Sequence, residues 1–231
     1  MAELETLYGR PKPPEVTDAF SMILFENVAY LVDGERRSAA WRRLEETVGT
    51  SPRQILAAPR AKLLAATSAG IQAASRAERL REIAEIAAGE FGGDLEAALD
   101  ASPAAARKAL KKFPSIGDPG ADKILLFSRR EPVLALDSNG LRVLLRLGFG
   151  REEKSYAASY RSAQEATRPG WNRGRAAGRA RTAASFDWLI RAHQLLRRHG
   201  QETCRRSRPE CGRCPLRRAC AYARAAGRAS V

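Results

Sequence analysis

The chain has 231 residues, of which 40 are Lys or Arg and 26 are Asp or Glu, and its formal net charge is +14. This length is sufficient for one or two compact domains, each with a real core. The charge disfavours a cationic partner and favours a polyanionic one, because Lys and Arg release condensed counterions when they neutralise phosphates. A composition rich in Arg and Ala also arises in GC-rich genomes, so charge alone does not identify the partner as nucleic acid.

The N-terminal segment is polar. The first twenty residues contain no apolar core of the kind that a signal peptide needs, and no apolar run is long enough to span a bilayer. We therefore expect an intracellular, cytoplasmic protein that does not associate with membranes. Residues 1–16 include Pro11, Pro13 and Pro14, which predicts an arm rather than a helix.

The next segment, AFSMILFENVAYLV, is apolar at helical spacing, and Thr17 and Asp18 can cap it. The pattern predicts a buried helix. Glu26 and Asn27 interrupt its apolar surface. A buried carboxylate without a partner is costly, so Glu26 requires either a partner or a function.

Further helical patterns follow from Glu35 to Gly92, and Leu95–Leu99 reads as a short connecting helix. These segments have apolar residues at helical spacing and charged residues between them, which indicates ordinary core packing. Strand-like alternation is nearly absent. The predicted fold class is therefore all-α.

A tight turn between two helical patterns follows, in the stretch from Ala109 to Val143. Pro114, Ser115, Ile116 and Gly117 end the first pattern. The second pattern begins at Asp118-Pro119, where an N-cap residue is followed by a proline at the first helical position. The result is a predicted helix-hairpin-helix. Its backbone amides and its helix N-terminus form an anion site that suits a DNA phosphate without reading sequence.

About twenty residues after the hairpin, Asp137 opens another helical pattern. Two further helices are predicted, at Lys154–Ala166 and Ala184–His199. Between them, Arg168–Ala183 is rich in Gly and Arg and has no apolar periodicity. This composition predicts a loop, which is either a segment that tracks DNA or a solvated insertion.

All four cysteines lie near the C-terminus with the spacing C-x6-C-x2-C-x5-C, at Cys204, Cys211, Cys214 and Cys220. Two structural disulfides are improbable in an intracellular chain, so the four thiolates are candidate metal ligands. Four-cysteine zinc sites usually combine two C-x2-C pairs, and this sequence has one. The alternative is a cubane iron-sulfur cluster held by four thiolates.

These motifs together resemble the helix-hairpin-helix DNA glycosylases of the endonuclease III superfamily. The resemblance rests on Phe113-Pro114-Ser115-Ile116-Gly117, on Leu136-Asp137-Ser138-Asn139, and on the cysteine spacing. It implies a six-helix barrel domain with the hairpin at residues 20–131. It also implies a discontinuous cluster domain made of residues 1–19 and 132–231.

The resemblance assigns roles to individual residues. Asp137 is expected to be the essential catalytic carboxylate, and Glu26 falls where some branches carry a catalytic glutamate that can protonate the leaving base. The four cysteines are expected to bind a [4Fe-4S] cluster of structural function. The expected DNA contacts are Pro114, Ser115, Ile116, Gly117, Arg205, Arg206 and Arg208, and the expected substrate pocket includes Asn27, Tyr30 and Leu31.

One position departs from the family pattern. Bifunctional members carry a lysine two residues after the second hairpin glycine, where this chain has Pro119. Proline cannot form the Schiff base that leads to strand cleavage, so the sequence predicts a monofunctional glycosylase in base excision repair. Lys123 lies one helical turn further on. The simpler interpretation of Lys123 is an ordinary surface lysine. The alternative is that its amine is the nucleophile of a lyase reaction.

The expected partner is double-stranded DNA with a damaged or mispaired base, bound by a monomer that associates with the nucleoid. Alkylated purines, deaminated bases and mismatched thymine all stay open as substrates. A third interpretation is a binding module that recognises damage without catalysis.

Overall fold

The structure is a computed structural model that describes residues 1–30, 32–176 and 182–228. All regular secondary structure in these ranges is helical, which confirms the all-α class. The chain divides into two compact units, Pro14–Arg130 and Met1–Pro13 with Glu131–Val231. The predicted domain boundaries stay a prediction, because compactness alone does not show that a segment folds independently.

The N-terminal segment contains a helix that the sequence analysis missed. Helix α1 (Ala2–Tyr8) ends before the three prolines, so they do not disturb its hydrogen bonds. Leu4 is buried in the core of its unit, and the Tyr8 hydroxyl lies 2.7 Å from Thr203 Oγ1. The prediction of an arm is therefore wrong for residues 2–8. Burial of the Leu4 side chain and the contact of Tyr8 with Thr203 hold this helix in place.

The unit Pro14–Arg130 is built around α2, which is buried on nearly all sides and packs against α6, α7 and α9. Asp18 caps α2 as predicted, since its carboxylate accepts the Ser21 N–H. The helices of this unit in the described residues are α2 (Ala19–Asn27), α3 (Gly34–Thr47), α4 (Pro52–Ala57), α5 (Arg60–Thr67), α6 (Ala73–Phe91), α7 (Leu95–Leu99), α8 (Pro103–Leu110) and α9 (Asp118–Phe127). Their best-buried apolar side chains include Ile23, Leu24, Leu44, Ile55, Leu63, Leu80, Ile83, Leu110, Phe113, Ile124 and Leu125.

The hairpin joins α8 to α9, as predicted, but its helix boundary differs by one residue. The N-cap of α9 is Gly117, and Asp118 is already helical. The Asp118 carboxylate pairs with Lys111 at 2.6 Å instead of capping the helix. The predicted cap is wrong because Pro119 is accepted at the second helical position as well as at the first.

The other unit contains the helices after the hairpin, namely α10 (Ser138–Leu147), α11 (Tyr156–Ala176), α12 (Ala183–Glu202), a 3-10 turn (Arg217–Ala219) and α13 (Ala221–Arg228). The predicted loop Arg168–Ala183 is wrong for residues 168–176, which continue α11. Arg and Ala are strong helix formers and outweigh the glycines there. Residues 177–181 lie outside the described residues. No helix in the described ranges is both long enough and apolar enough to cross a membrane.

Helices α10 and α12 make the closest packing in this unit. A Cβ added to Gly200 would lie 2.6 Å from the carbonyl oxygen of Asn139, so the two backbones touch where any larger residue would clash. Leu141, Leu144, Leu195 and Leu196 complete the apolar contact. This packing fixes α12 against the first turn of α10.

Candidate active site

Asp137 is held rigidly at the N-terminus of α10. Its Oδ1 accepts the backbone N–H groups of Asn139 at 3.0 Å and Gly140 at 2.8 Å. The predicted role of Asp137 as the start of this helix is confirmed. These two hydrogen bonds satisfy backbone N–H groups that have no partner within the helix.

The second oxygen of Asp137 faces a different environment. Arg197 Nε, from α12, lies 3.4 Å from Oδ2, and the side chain of Asp137 is 29% exposed. Tyr156, at the start of α11, lies close enough to Asp137 for the carboxylate charge to affect the pKa of its phenol. Burial, with a smaller contribution from Asp137, raises the pKa of Tyr156 to about 12. Asp137 is therefore an accessible carboxylate with one contacting cation and one neutral phenol nearby.

A hydrogen-bonded chain connects Asp137 to the cysteine-containing segment. Arg142 donates to Asn139 Oδ1 at 2.8 Å and to the carbonyl oxygens of Gly200 at 2.6 Å and Cys204 at 2.9 Å. Burial lowers the pKa of Arg142 below its ordinary value. The conformation of the chain around Cys204 thus helps to position Asn139, whose backbone N–H donates to Asp137.

Glu26 lies in the other unit and is paired with two cations. Its Oε1 is 2.5 Å from Lys123 Nζ, and its Oε2 is 3.3 Å from Arg37 Nη1. The side chain of Lys123 is 17% exposed, so the interpretation of Lys123 as a surface lysine is wrong. Lys123 is directed inward because α9 places it against the carboxylate on α2. Glu26 on α2 is thus held in ion pairs by residues of α3 and α9.

The predicted pocket residues of α2 have different surroundings. Asn27 is fully buried, and its Nδ2 donates to the carbonyl oxygens of Ile23 at 2.9 Å and Pro114 at 3.3 Å. Asn27 therefore connects α2 to the hairpin. Tyr30 is 41% exposed, and the Arg76 guanidinium lies 4.5 Å from its ring centroid. Leu31 lies outside the described residues, and the pocket role of all three stays a prediction.

The hairpin is strained at one residue. Ser115 has φ of 65°, a left-handed conformation that glycine adopts more readily. The Ser115 hydroxyl accepts a hydrogen bond from Arg79 Nη1 at 3.0 Å. Gly117 caps α9 without a side chain, so the first N–H groups of α9 are not occupied by a capping group and suit an anion.

One candidate residue was missed by the sequence analysis. Ile71 is 50% exposed on the turn before α6. It is flanked by Gln72, with φ of 59°, and by Gly70, where an added Cβ would lie 2.8 Å from the Tyr30 backbone. Backbone strain occurs more often at functional sites than elsewhere, so the strained turn makes Ile71 a candidate functional residue. The observations that single out Ile71 are the left-handed backbone of Gln72 and the tight packing at Gly70. Neither can be predicted from the sequence.

The four cysteines are brought together. All four are free and line one pocket, which Arg146, Thr203 and Tyr222 also border. Burial raises the pKa of the Cys214 thiol above its ordinary value, the Leu216 N–H opposes this, and the proximity of the other three cysteines raises it further.

Hydrogen bonds surround this pocket. His199 Nε2 lies 3.4 Å from Cys214 Sγ, and its Nδ1 lies 2.9 Å from the Tyr8 hydroxyl. Burial lowers the pKa of His199 and so favours the neutral ring. Arg146 Nη1 donates to Cys204 Sγ at 3.3 Å. Neutral and cationic donors beside sulfur suit thiolate ligands, whose negative charge they stabilise.

Four cysteine sulfurs are a donor set that either a single zinc ion or a [4Fe-4S] cluster can use. Among the residues that the structure describes, no group of three or more His, Cys, Asp or Glu side chains is arranged to hold one metal ion. A zinc site requires four sulfurs about 2.3 Å from one centre. A [4Fe-4S] cluster instead takes one thiolate at each iron, so the sulfurs surround a pocket. The residues present are compatible with the predicted cluster.

The predicted DNA-contacting arginines of this segment are not equivalent. Arg205 is paired with Glu210 at 3.1 Å, which reduces its availability. Arg206 and Arg208 are exposed, and Arg208 has φ of 56°. Arg205 is exposed as well, so its ion pair with Glu210, and not its burial, is what distinguishes it from Arg206 and Arg208.

A hairpin between two helices, a carboxylate anchored at the start of the next helix and a four-cysteine pocket together define the class: a helix-hairpin-helix DNA glycosylase of the endonuclease III superfamily. The chain belongs to the HhH-GPD superfamily of base excision DNA repair proteins, whose family model matches residues 33–169.

Individual relatives agree with this assignment. The chain is 29% identical over 185 residues to an Endonuclease III of Sulfolobus acidocaldarius, covering 79% of this chain and 73% of the relative. It is similar in fold to a trapped covalent Endonuclease III–DNA intermediate, with a TM-score of 0.71, 17% identity, and coverage of 98% and 94% of the two chains. A thermostable thymine-DNA glycosylase has a TM-score of 0.65 at 16% identity, with coverage of 97% and 94%.

Proposed function

We propose that this glycosylase removes a damaged or mispaired base from double-stranded DNA by hydrolysing the N-glycosidic bond and leaves the backbone intact. The observation that carries the proposal is Asp137, which has one oxygen fixed by two backbone N–H groups and the other accessible beside Arg197. Cleavage of the glycosidic bond builds positive charge on the sugar. An ionised carboxylate in this position stabilises that charge and orients the attacking water.

The DNA is bound mainly through its backbone. The target nucleotide leaves the stack, because its glycosidic bond is otherwise inaccessible. The N–H groups at the start of α9 bind phosphate, and Arg206 and Arg208 add sequence-independent attraction. The protein acts as a monomer on cytoplasmic, nucleoid DNA.

Glu26 has a more limited role than the resemblance implies. A proton donor must be neutral before it acts, and ion pairs with Lys123 and Arg37 oppose that state. Glu26 assists departure of the base only after bound DNA separates it from one of these cations. Glu26→Gln, which keeps the shape and removes the acid, should then lower the rate of base release and not DNA affinity.

Cys204, Cys211, Cys214 and Cys220 are proposed to hold a [4Fe-4S] cluster. When bound, such a cluster cross-links the segment that carries them and supplies no step of glycosidic cleavage. The contacts of Arg142 and Arg146 with the carbonyl oxygens of Cys204 and Arg205 extend this order to α10.

A panel of end-labelled duplexes tests the main proposal. Each duplex contains one uracil, mismatched thymine, hypoxanthine, alkylated purine, or adenine opposite oxidised guanine. After incubation with the full chain, each sample is run on a denaturing gel with and without hot alkali. Breaks that appear only after alkali support base removal without strand cleavage. The absence of breaks in all duplexes, with binding retained, contradicts the proposal and favours a binding module.

A second candidate is lyase activity through Lys123. The observation that favours it is the enclosed position of the Lys123 amine, whose side chain is 17% exposed and lies against Glu26, since a lysine nucleophile is typically enclosed in a pocket and not on the open surface. Borohydride would then trap a covalent adduct with DNA. The adduct should disappear in Lys123→Ala and persist in Lys62→Ala, which removes an exposed lysine of the same unit. No adduct in the unmodified chain excludes this candidate.

A further inference from the structure

Helix α12 carries three arginines, and each contacts a different carboxylate. Arg191 makes a long pair with Glu5, at 3.8 Å, and Arg198 pairs with Glu202 at 2.8 Å along the helix surface. Arg197 instead reaches α10 and lies 3.4 Å from Asp137 Oδ2. Its direction is fixed because Gly200, one turn later, brings α12 into backbone contact with Asn139.

The hydrogen bonds of Asp137 leave its second oxygen weakly held. Oδ1 accepts two short backbone hydrogen bonds, whereas the contacts of Oδ2 within the described residues are Asn139 Nδ2 at 3.4 Å and Arg197 Nε at 3.4 Å. Rotation of the carboxylate about its last bond is opposed at Oδ2 by the charge of Arg197 and by Asn139 Nδ2, whose amide is oriented by the hydrogen bond from Arg142 to Asn139 Oδ1. The other charged or titratable groups nearby are Tyr156 on α11 and Arg142 on α10.

We propose that Arg197 is a positioning residue for Asp137 and aims its Oδ2 at the sugar. This inference rests on the proposed catalytic role of Asp137. Arg197 acts through the carboxylate and does not touch the reacting atoms. Its side chain is 37% exposed, so its loss leaves no buried cavity and the fold of the unit should persist. A misaimed catalytic group can cost about 100-fold in rate.

The experiment uses the duplex that the unmodified chain cleaves best. Single-turnover rates of base release and dissociation constants for DNA are measured for Arg197→Ala, Arg197→Lys, Arg191→Ala and Asp137→Asn. We expect Arg197→Ala to slow release by about 10- to 100-fold with an unchanged dissociation constant. Arg197→Lys should recover most of the rate, because lysine restores the charge. Arg191→Ala, the matched change on the same helix, should behave like the unmodified chain.

Three results overturn the inference: an unchanged rate in Arg197→Ala, a loss confined to DNA affinity, or no recovery in Arg197→Lys. A loss confined to affinity would make Arg197 a phosphate contact. Failure of the proposed function is recognised separately. If Asp137→Asn releases the base at the normal rate, Asp137 is not catalytic, whatever the Arg197 variants do. Melting curves of all four variants verify that each is folded.

Discussion

The ion pair between Glu26 and Lys123 gives a prediction whose size follows from the structure. The two residues are 97 positions apart, their charged atoms lie 2.5 Å apart, and their side chains are 27% and 17% exposed. Two unit charges about 4 Å apart attract by about 4 kcal/mol at an effective dielectric constant of about 20. Desolvation and lost side-chain freedom oppose this attraction. We expect a net coupling energy of about 1–2 kcal/mol, between the values for exposed and fully buried pairs.

The two single substitutions should differ in how much they lower the free energy of unfolding. Lys123→Met leaves Glu26 paired with Arg37, which lies 3.3 Å from the other carboxylate oxygen, so the expected destabilisation is about 1 kcal/mol. Glu26→Gln leaves Lys123 and Arg37 without their shared carboxylate. Its expected cost is about 2–3 kcal/mol, because uncompensated, partly buried charge is more costly than a lost contact.

A double-mutant cycle measures the coupling energy by urea unfolding of the full chain, followed by tryptophan fluorescence and circular dichroism. Arg60 and Glu78 provide the matched control, since their charged atoms lie 2.7 Å apart but both side chains are more than half exposed. Their coupling should be below about 0.5 kcal/mol. A coupling for Glu26 and Lys123 no larger than that of the control pair would refute the reasoning.

Three further predictions concern other parts of the molecule, and Gly89→Ala is the matched control for the second of them. We propose that the exposed side chain of Ile71 acts as an apolar wedge between bases. Ile71→Ala should then slow base release from a fully paired duplex about tenfold and have little effect on a base in single-stranded DNA, because unstacking is needed only in the duplex; equal effects on both substrates would contradict this role. Gly200→Ala should destabilise the chain by about 1–3 kcal/mol in urea unfolding, through the clash with Asn139. Gly89→Ala, on an open face of α6, should instead stabilise it by about 0.5–1 kcal/mol. Cys214→Ser should eliminate the bound iron and sulfide measured by elemental analysis; one zinc per unmodified chain would show that the pocket holds an ion.

Local signals in the sequence predicted much of the site. Asp18 and Asp137 are caps because an Asp before an apolar helical pattern accepts orphan N–H groups. The cysteine spacing predicted that the four thiols meet, and they line one pocket. These features depend on residues close together in the chain, where spacing determines geometry.

The errors have local causes too. The α9 cap was misplaced by one residue because proline is accepted at both of the first two helical positions. Helix α1 was missed because nearby prolines dominated the composition, although they follow its last turn. The end of α11 was missed because glycine and charge hid the strong helix propensity of Arg and Ala.

Contacts between distant segments could not be predicted. Nothing in the sequence near Glu26 indicates that Arg37 and Lys123 neutralise it, or that Arg197 reaches Asp137. Such pairs depend on how the helices pack. The chemistry of the two carboxylates is therefore determined at the level of tertiary structure: one is accessible beside a single cation, and the other lies between two.

The most direct test of the account is base release by Asp137→Asn. This substitution keeps the Oδ1 acceptor for the Asn139 and Gly140 N–H groups and loses the ion pair with Arg197, so the chain should stay folded and should bind DNA. In a single-turnover assay with alkali treatment, we predict no detectable abasic product at times when the unmodified chain has reacted completely. Base release at the normal rate by a folded, DNA-binding Asp137→Asn chain would contradict the catalytic role of Asp137.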